Sequence, residues 1–195
     1  MRGFVSAMFL FVFGLNTRAQ SYPEHIRRDE FYIIKTDSAK NDTAKTVFAR
    51  ITNAKIAEEL FGTNYTAKSY LNNLNEKSYT GMVYDDGLEL YIPDERDQAE
   101  SIIFHIRSDR YKLLTSDGQV IQVGMKGSDL EFIFPESYSR RRVIAYHSGD
   151  QFKTSFTVFF SSWEDNIIYI ENSSIEFILS EDGRFLEEFY SFQPR

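Results

Sequence analysis

Cysteine is absent from all 195 residues. Its absence removes disulfides from the stability argument, thiol catalysis and thiolate-ligated metal from the chemistry, and the acylated Cys of a lipoprotein from the possible anchors. Local catalytic signatures are missing too. The chain has three His and no His-x-x-x-His pair, no Gly-x-Ser-x-Gly elbow, no Gly-x-Gly-x-x-Gly and no P-loop. Metallohydrolase, serine hydrolase and nucleotide-binding readings therefore lack their usual local pattern. Basic charge is in deficit, with 22 Lys and Arg against 29 Asp and Glu and a formal charge of −7. An acidic surface repels phosphate backbones and anionic lipid heads, so nucleic acid and membrane surface are poor default partners. Beyond the N-terminus no apolar run approaches the roughly 20 residues that a membrane-crossing helix needs, so the chain reads as not membrane-spanning.

What is present begins with one apolar run. Arg2 precedes Phe4 to Leu15, twelve residues without a charge, and Asn16-Thr17-Arg18-Ala19-Gln20 follows. This is too short for a spanning helix but suits the core of a signal peptide, and Thr17 and Ala19 put small residues at the two positions a signal peptidase reads. Residues 1–19 are therefore expected to be removed, exporting the rest to the periplasm or the exterior. Losing Arg2 and Arg18 and no acid takes the formal charge from −7 to −9. A remaining chain of about 176 residues is long enough to bury roughly 70% of its unfolded surface, and so to hold together by its core alone.

Strand signals dominate the rest. Phe31 to Lys35, Tyr79 to Tyr84, Leu88 to Ile92, Ser101 to Arg107, Tyr111 to Thr115, Val120 to Val123, Lys153 to Phe160, Ile167 to Glu171, Ile175 to Leu179 and Phe185 to Phe192 are short, rich in Ile, Phe, Tyr and Val, and bounded by turn residues. Asp85-Asp86-Gly87, Ser116-Asp117-Gly118, Ser148-Gly149-Asp150 and Glu181-Asp182-Gly183 read as hairpin turns. Asn53 to Phe61 predicts a helix capped by Asn53 and stopped at Gly62. Ser128 to Phe134 predicts another, with Ser128 and Glu131 at capping-box spacing and Pro135 as the stop. Ala67 to Leu74 carries a weaker helical signal, and Ser38 to Lys45 reads as an exposed loop. The class is α+β, mostly antiparallel sheet with a few short helices.

Two stretches look alike. At an offset of 73, Ile56 to Thr66 lies over Asp129 to Ser139, matching Glu58 with Glu131, Phe61 with Phe134 and Tyr65 with Tyr138. At an offset of 87, Leu88 to Ile102 lies over Ile175 to Phe189. The larger offset leaves room for one more hairpin in the second half, with Ser161 to Ser174 as the natural candidate. Either two amphipathic segments align by chance, or the chain holds two tandem helix-plus-sheet units, 20–118 and 119–195.

Within the second of these stretches, Gly124-Met125, Leu130 and Phe134-Pro135 resemble the pattern that starts a repeat in the SmpA/OmlA outer-membrane assembly lipoproteins and in the beta-lactamase inhibitor protein. They are similar also to small secreted bacterial proteins with a strand, a Val-Gly, a short helix and a Phe-Pro. The resemblance implies helices packed on an antiparallel sheet and a habit of binding proteins with a sheet surface. No functional residue carries over, because the matching positions are turn and core positions, and fold analogy does not give function.

Side chains with chemistry are few. His105 alternates with Phe104 and Ile106, so it falls on the opposite face, as a half-exposed structural His or a general base. Asp85-Asp86 and Asp94-Glu95-Arg96-Asp97 lack EF-hand spacing and sit where turns are expected. No metal and no cofactor is expected. The run Arg140-Arg141-Arg142 is either a solvated loop or strand end, or a contact for an anion or an acidic protein. Twelve Tyr, 18 Phe and one Trp exceed what one face of a sheet needs. Trp163, in a turn-like context, is either an interface anchor or a ring folded over the sheet edge. The reading is an exported, non-enzymatic module that binds another protein through an aromatic sheet surface and the Trp163 loop, with Arg140, Arg141 and Arg142 as further candidate binding residues. A polysaccharide hydrolase with paired carboxylates and a carrier of a small apolar ligand are the alternatives.

Overall fold

A computed structural model of the chain describes residues 24–27, 31–36, 43–47, 51, 53–72, 77–94, 102–115, 117–146, 151–164 and 167–192. The N-terminal apolar run and the Ser148 to Asp150 turn lie outside them. In chain order the elements are β1 (His25–Arg27), β2 (Tyr32–Thr36), β3 (Thr43–Val47), α1 (Ala54–Phe61), β4 (Tyr65–Asn72), β5 (Lys77–Tyr84), β6 (Leu88–Pro93), β7 (Ile103–Ile106), β8 (Tyr111–Leu114), β9 (Val120–Gln122), α2 (Gly127–Ile133), α3 (Pro135–Ser139), β10 (Arg142–Tyr146), β11 (Gln151–Glu164), β12 (Ile167–Leu179) and β13 (Leu186–Phe192).

Nine strands form one large sheet in the order β1-β11-β12-β13-β7-β6-β5-β4, with β10 also on the outer edge of β11. All pairings in it are antiparallel except the parallel β1–β11 pair. A four-stranded sheet, β3-β2-β8-β9, is separate. Alternation along each strand gives the large sheet one apolar face, and the small sheet covers it. Phe31, Ile33, Tyr111, Leu113 and Ile121 share one buried cluster with Met82, Leu90, Phe104, Phe177 and Phe189. The Phe31 ring lies 6.3 Å from that of Phe104 and 5.2 Å from that of Phe160.

Helices close the two ends of this layer. At one end, Phe61 of α1 meets Tyr84 and Tyr111 at 6.2 and 6.0 Å. At the other, Phe134 lies 5.7 Å from Phe177 and Tyr138 lies 5.3 Å from Phe156. Phe156 and Phe177 themselves stack at 5.0 Å. Each such fully buried ring contributes about 1.5–3 kcal/mol by leaving water.

Local signals account for most of these elements. Asn53 caps α1 by accepting the Ile56 N–H at 3.0 Å, and Gly62 ends it at φ 95°. Gly87, at φ 98° in the β5–β6 turn, has room for no side chain, since a Cβ there would lie 2.6 Å from Cβ of Ser108. Pro135 ends α2 and, as the first residue of α3, starts another helix. The expected capping box is not made. The cap of α2 is Lys126, which forms no side-chain bond, so Ser128 and Glu131 lie inside the helix. The exposed amides of α3 are satisfied from outside, as the Glu24 carboxylate accepts the N–H groups of Glu136 and Ser137 at 2.7 and 2.8 Å.

Four further expectations need correction. Of the stretch Ala67 to Leu74, the described residues 67–72 are not helical, because Tyr65–Asn72 pairs residue for residue with β5; a ladder and the Tyr70 contacts with Tyr79 and Tyr91 outweigh a weak helical preference. Thr43–Val47 is a strand on β2 and not the end of a loop. Ile167 to Glu171 and Ile175 to Leu179 are parts of one strand, β12. β11 and β12 run 14 and 13 residues where β5 and β6 run 8 and 6, so the added length extends an existing hairpin and creates no new one.

Apart from β1, which has no counterpart, the sheet is symmetric in order about the β7–β13 pair. Outward from it lie β6, β5 and β4 on one side and β12, β11 and β10 on the other. Each side is a run of four consecutive strands that follows a helical segment. The offset of 73 lays α1 over α2, yet past the helices it lays Tyr65, which opens β4, over Tyr138, which lies in α3. Residue 118, the end of the first expected unit, falls in the turn between β8 and β9, which pair with each other.

Candidate functional site

The face of the large sheet opposite the core carries a polar row. Phe104 and Ile106 are fully buried, so His105 points the other way. The register sets Glu89, His105, Tyr190 and Glu176 side by side across β6, β7, β13 and β12. The Tyr91 hydroxyl donates to Glu89 at 2.6 Å, and Arg107 pairs with the other oxygen of that carboxylate. His105 Nε2 lies 2.5 Å from Glu188, whose second oxygen accepts from Tyr146. Tyr190 donates to Glu176 at 2.7 Å; burial, then this acceptor, pushes its phenol well above the usual range. Donors from the chain thus occupy both oxygens of Glu89 and Glu188. The row ties β6, β7, β13 and β10 together, across a β7–β13 seam whose own pairing is confined to Phe189↔Ile106 and Tyr190↔His105.

Trp163 lies elsewhere, and not in a turn. Its backbone is part of β11, paired with Ile168 close to the β11–β12 turn. The long strands carry it there, since Ser161 to Glu164 continue the ladder with Ile170 to Ile167. Among the described residues, β1 reaches only to Ser161 along the edge of β11, and β13 pairs with β12 only from Ser174 onward. Among the described residues the end of this hairpin is therefore a two-stranded ribbon that extends past the pairings of its neighbours. Ile168, Tyr169 and Ile170 are 42%, 46% and 46% exposed. Successive strand residues face opposite ways, so three exposed apolar residues in a row mean that both faces of the ribbon are open.

The three arginines part company. Arg141 lays its guanidinium over the Tyr138 ring at 4.6 Å and donates to the Tyr138 carbonyl at 3.2 Å. Arg140, which ends α3, and Arg142, which opens β10, line a pocket of about 320 Å³ together with Ser155, Phe156, Thr157 and Phe159. The pocket marks a notch in the sheet edge. β10 pairs with β11 up to Ser155 and β1 pairs from Phe159, so the edge between them has no strand partner among the described residues. Ser155 is fully buried and its Oγ has no hydrogen-bond partner among them. Sequence reasoning singled out the arginines and missed Ser155 and Thr157. Nothing in the sequence marks where β10 stops and β1 starts.

A second pocket, of about 290 Å³, lies between the end of α1 and the β5–β6 turn. One pair of its charges is already matched. Lys35 meets Asp86 at 3.3 Å, and Tyr111 donates to Asp86 at 2.7 Å, with its phenol pushed up first by burial and then by that acceptor. Asp94 accepts from Thr80 at 2.6 Å, while Glu95 to Asp97 lie outside the described residues. Among the described residues no group of three His, Asp or Glu is placed to hold a metal ion, and no helix is long and apolar enough to cross a membrane. No protein-family model, no curated protein and no solved structure matches the chain.

Proposed function

We propose that the chain is an exported, non-enzymatic binding protein that engages another protein through the projecting β11–β12 ribbon. The observation that carries this reading is the exposed succession Ile168, Tyr169 and Ile170 opposite the strand that bears Trp163. A ribbon open on both faces presents apolar area without disturbing the core, and Trp and Tyr dominate binding hot spots. Export follows from the charge-free run at Phe4 to Leu15. We also read the two helix-plus-four-strand halves as copies of one unit, 20–118 and 119–195; the symmetric strand order and the overlay of α1 on α2 support this.

Binding needs less rearrangement than the alternatives. A hydrolase would use carboxylates such as Glu89 and Glu188, whose oxygens already serve Tyr91, Arg107, His105 and Tyr146. A carrier would need room between sheet and helices, where Phe134, Tyr138, Phe156 and Phe177 are in ring contact. The test is affinity capture from envelope and culture fractions with the chain from Gln20 onward, beside Trp163→Ala and Ile168→Ser variants. Capture of one partner by the wild type, lost in both variants while circular dichroism and melting temperature hold, is the expected result. Equal capture by all three would overturn the ribbon as the interface.

A further inference from the structure

We propose that the notch in the β11 edge is a binding site for a phosphate monoester, distinct from the ribbon and independent of it. Arg140 has no ion-pair partner among the described residues, and Arg142 is held only by a 3.7 Å approach to Glu176 with its side chain largely exposed. Both guanidiniums are thus free to turn to a ligand. Of the neighbouring carboxylates, Glu24 is bonded to the amides of α3, while Glu176 gives one oxygen to Tyr190 and turns the other toward Arg142, so a ligand must displace that long contact. Two guanidiniums match the charge of about −1.5 to −2 that a phosphate monoester carries at pH 7, and their planar forks suit its oxygens.

The remaining donors fit the same ligand. Arg142 and Ser155 are directly paired and so lie on one face of the sheet. A fully buried hydroxyl without a partner is rare, and here it lines the pocket that the arginines enter. Thr157 adds a second hydroxyl, and among the described residues no strand pairs with the β11 edge from Phe156 to Val158. The volume of about 320 Å³ exceeds what a bare oxyanion fills, and Phe159, on the same face of β11 as Ser155 and Thr157, gives the pocket apolar wall. The ligand is therefore the esterified group, with its body against the Phe159 ring, and not inorganic phosphate alone.

Calorimetric titration of the full chain with phenyl phosphate, glucose 6-phosphate and inorganic phosphate tests this. Saturable binding of an ester, tighter than that of inorganic phosphate and weaker at high salt, is expected. Preference for the phenyl ester would identify an aromatic body, and preference for the sugar ester a carbohydrate one. Replacing both arginines, as Arg140→Gln with Arg142→Gln, should weaken binding by about tenfold or more. Arg141→Gln, whose guanidinium is committed to Tyr138, should leave binding unchanged. Ser155→Ala should weaken binding several-fold while the melting temperature holds or rises, because it deletes a hydroxyl that the empty fold does not satisfy. Trp163→Ala should bind the ester normally, which separates failure here from failure of the ribbon. Absence of saturable ester binding, or ester binding untouched by the double Gln substitution, would overturn the proposal.

Discussion

Glu24 shows how much one side chain can organise at a distance. It joins the first described residues to a helix more than a hundred positions later, accepting from the Glu136 and Ser137 amides and the Ser137 hydroxyl at 2.7 to 2.9 Å. Burial raises its carboxyl, the amide and hydroxyl donors outweigh this, and the net result lies below the ordinary value of 4.5. A depressed carboxyl stabilises the fold above its ordinary value, and the contribution fades as pH falls through the folded one. Glu24→Ala should thus cost about 1–2 kcal/mol in urea unfolding at neutral pH, the scale of a lost helix cap. The gap from wild type should close in acid. An equal gap at both pH values would mean that the charge of Glu24 plays no part. The sequence shows Glu24 as one of 29 acids. Its role depends on a neighbour that only folding supplies.

At the scale of elements, α1 and α2 form a contrast. The start and stop of α1, Asn53 and Gly62, are local chemistry, and the structure uses both. The start of α2 is not local. Its Gly127 N–H donates to the Arg184 carbonyl at 2.7 Å, and a Cβ there would lie 2.3 Å from the carbonyl oxygen of Gly183, in the β12–β13 turn. Helix and turn touch through bare backbone, so the residue must be glycine, although a glycine inside a helix ordinarily costs about 1 kcal/mol relative to Ala. Gly127→Ala should reverse that sign and destabilise by about 1–3 kcal/mol in thermal unfolding, as overpacking does. A stabilised variant would mean that the turn moves away freely. Strand β4 shows the opposite failure of local signals, since pairing with β5 overrode a weak helical pattern between Ala67 and Leu74.

Across the whole molecule, one buried cluster spans both sheets and the flanking helices, and tyrosines within it and on the opposite face of the large sheet carry largely buried phenols. Burial is the first cause that raises the phenols of Tyr84, Tyr111 and Tyr190, and nearby carboxylates such as Asp86 and Glu176 add to it. These three neutral phenols join β5, β8 and β13 to their neighbours through the Gly62 carbonyl, Asp86 and Glu176. A raised phenol keeps its proton in the fold after the unfolded chain has lost it. Its stabilisation is complete below the ordinary value of 10 and is lost as pH rises through the folded values. Unfolding midpoints measured from about pH 8 to 11 should hold and then fall once pH passes about 10. A midpoint that stays level through pH 11 would contradict the buried-phenol account.

The sequence by itself determined that the chain builds a mostly antiparallel sheet with few helices. Period-two runs and glycine turns such as Asp85-Asp86-Gly87 are local, and so is the alternation that put His105 opposite Phe104 and Ile106. It also picked out the arginine run and Trp163, because residue type alone makes them conspicuous. Tertiary structure decided what those residues do. The ladder carried Trp163 into a projecting strand, the Tyr138 ring took Arg141 away from its neighbours, and the ends of β10 and β1 opened the notch beside Ser155. Strand order, where pairing stops and which polar groups are left over depend on contacts between residues far apart in the chain, and no local pattern encodes them.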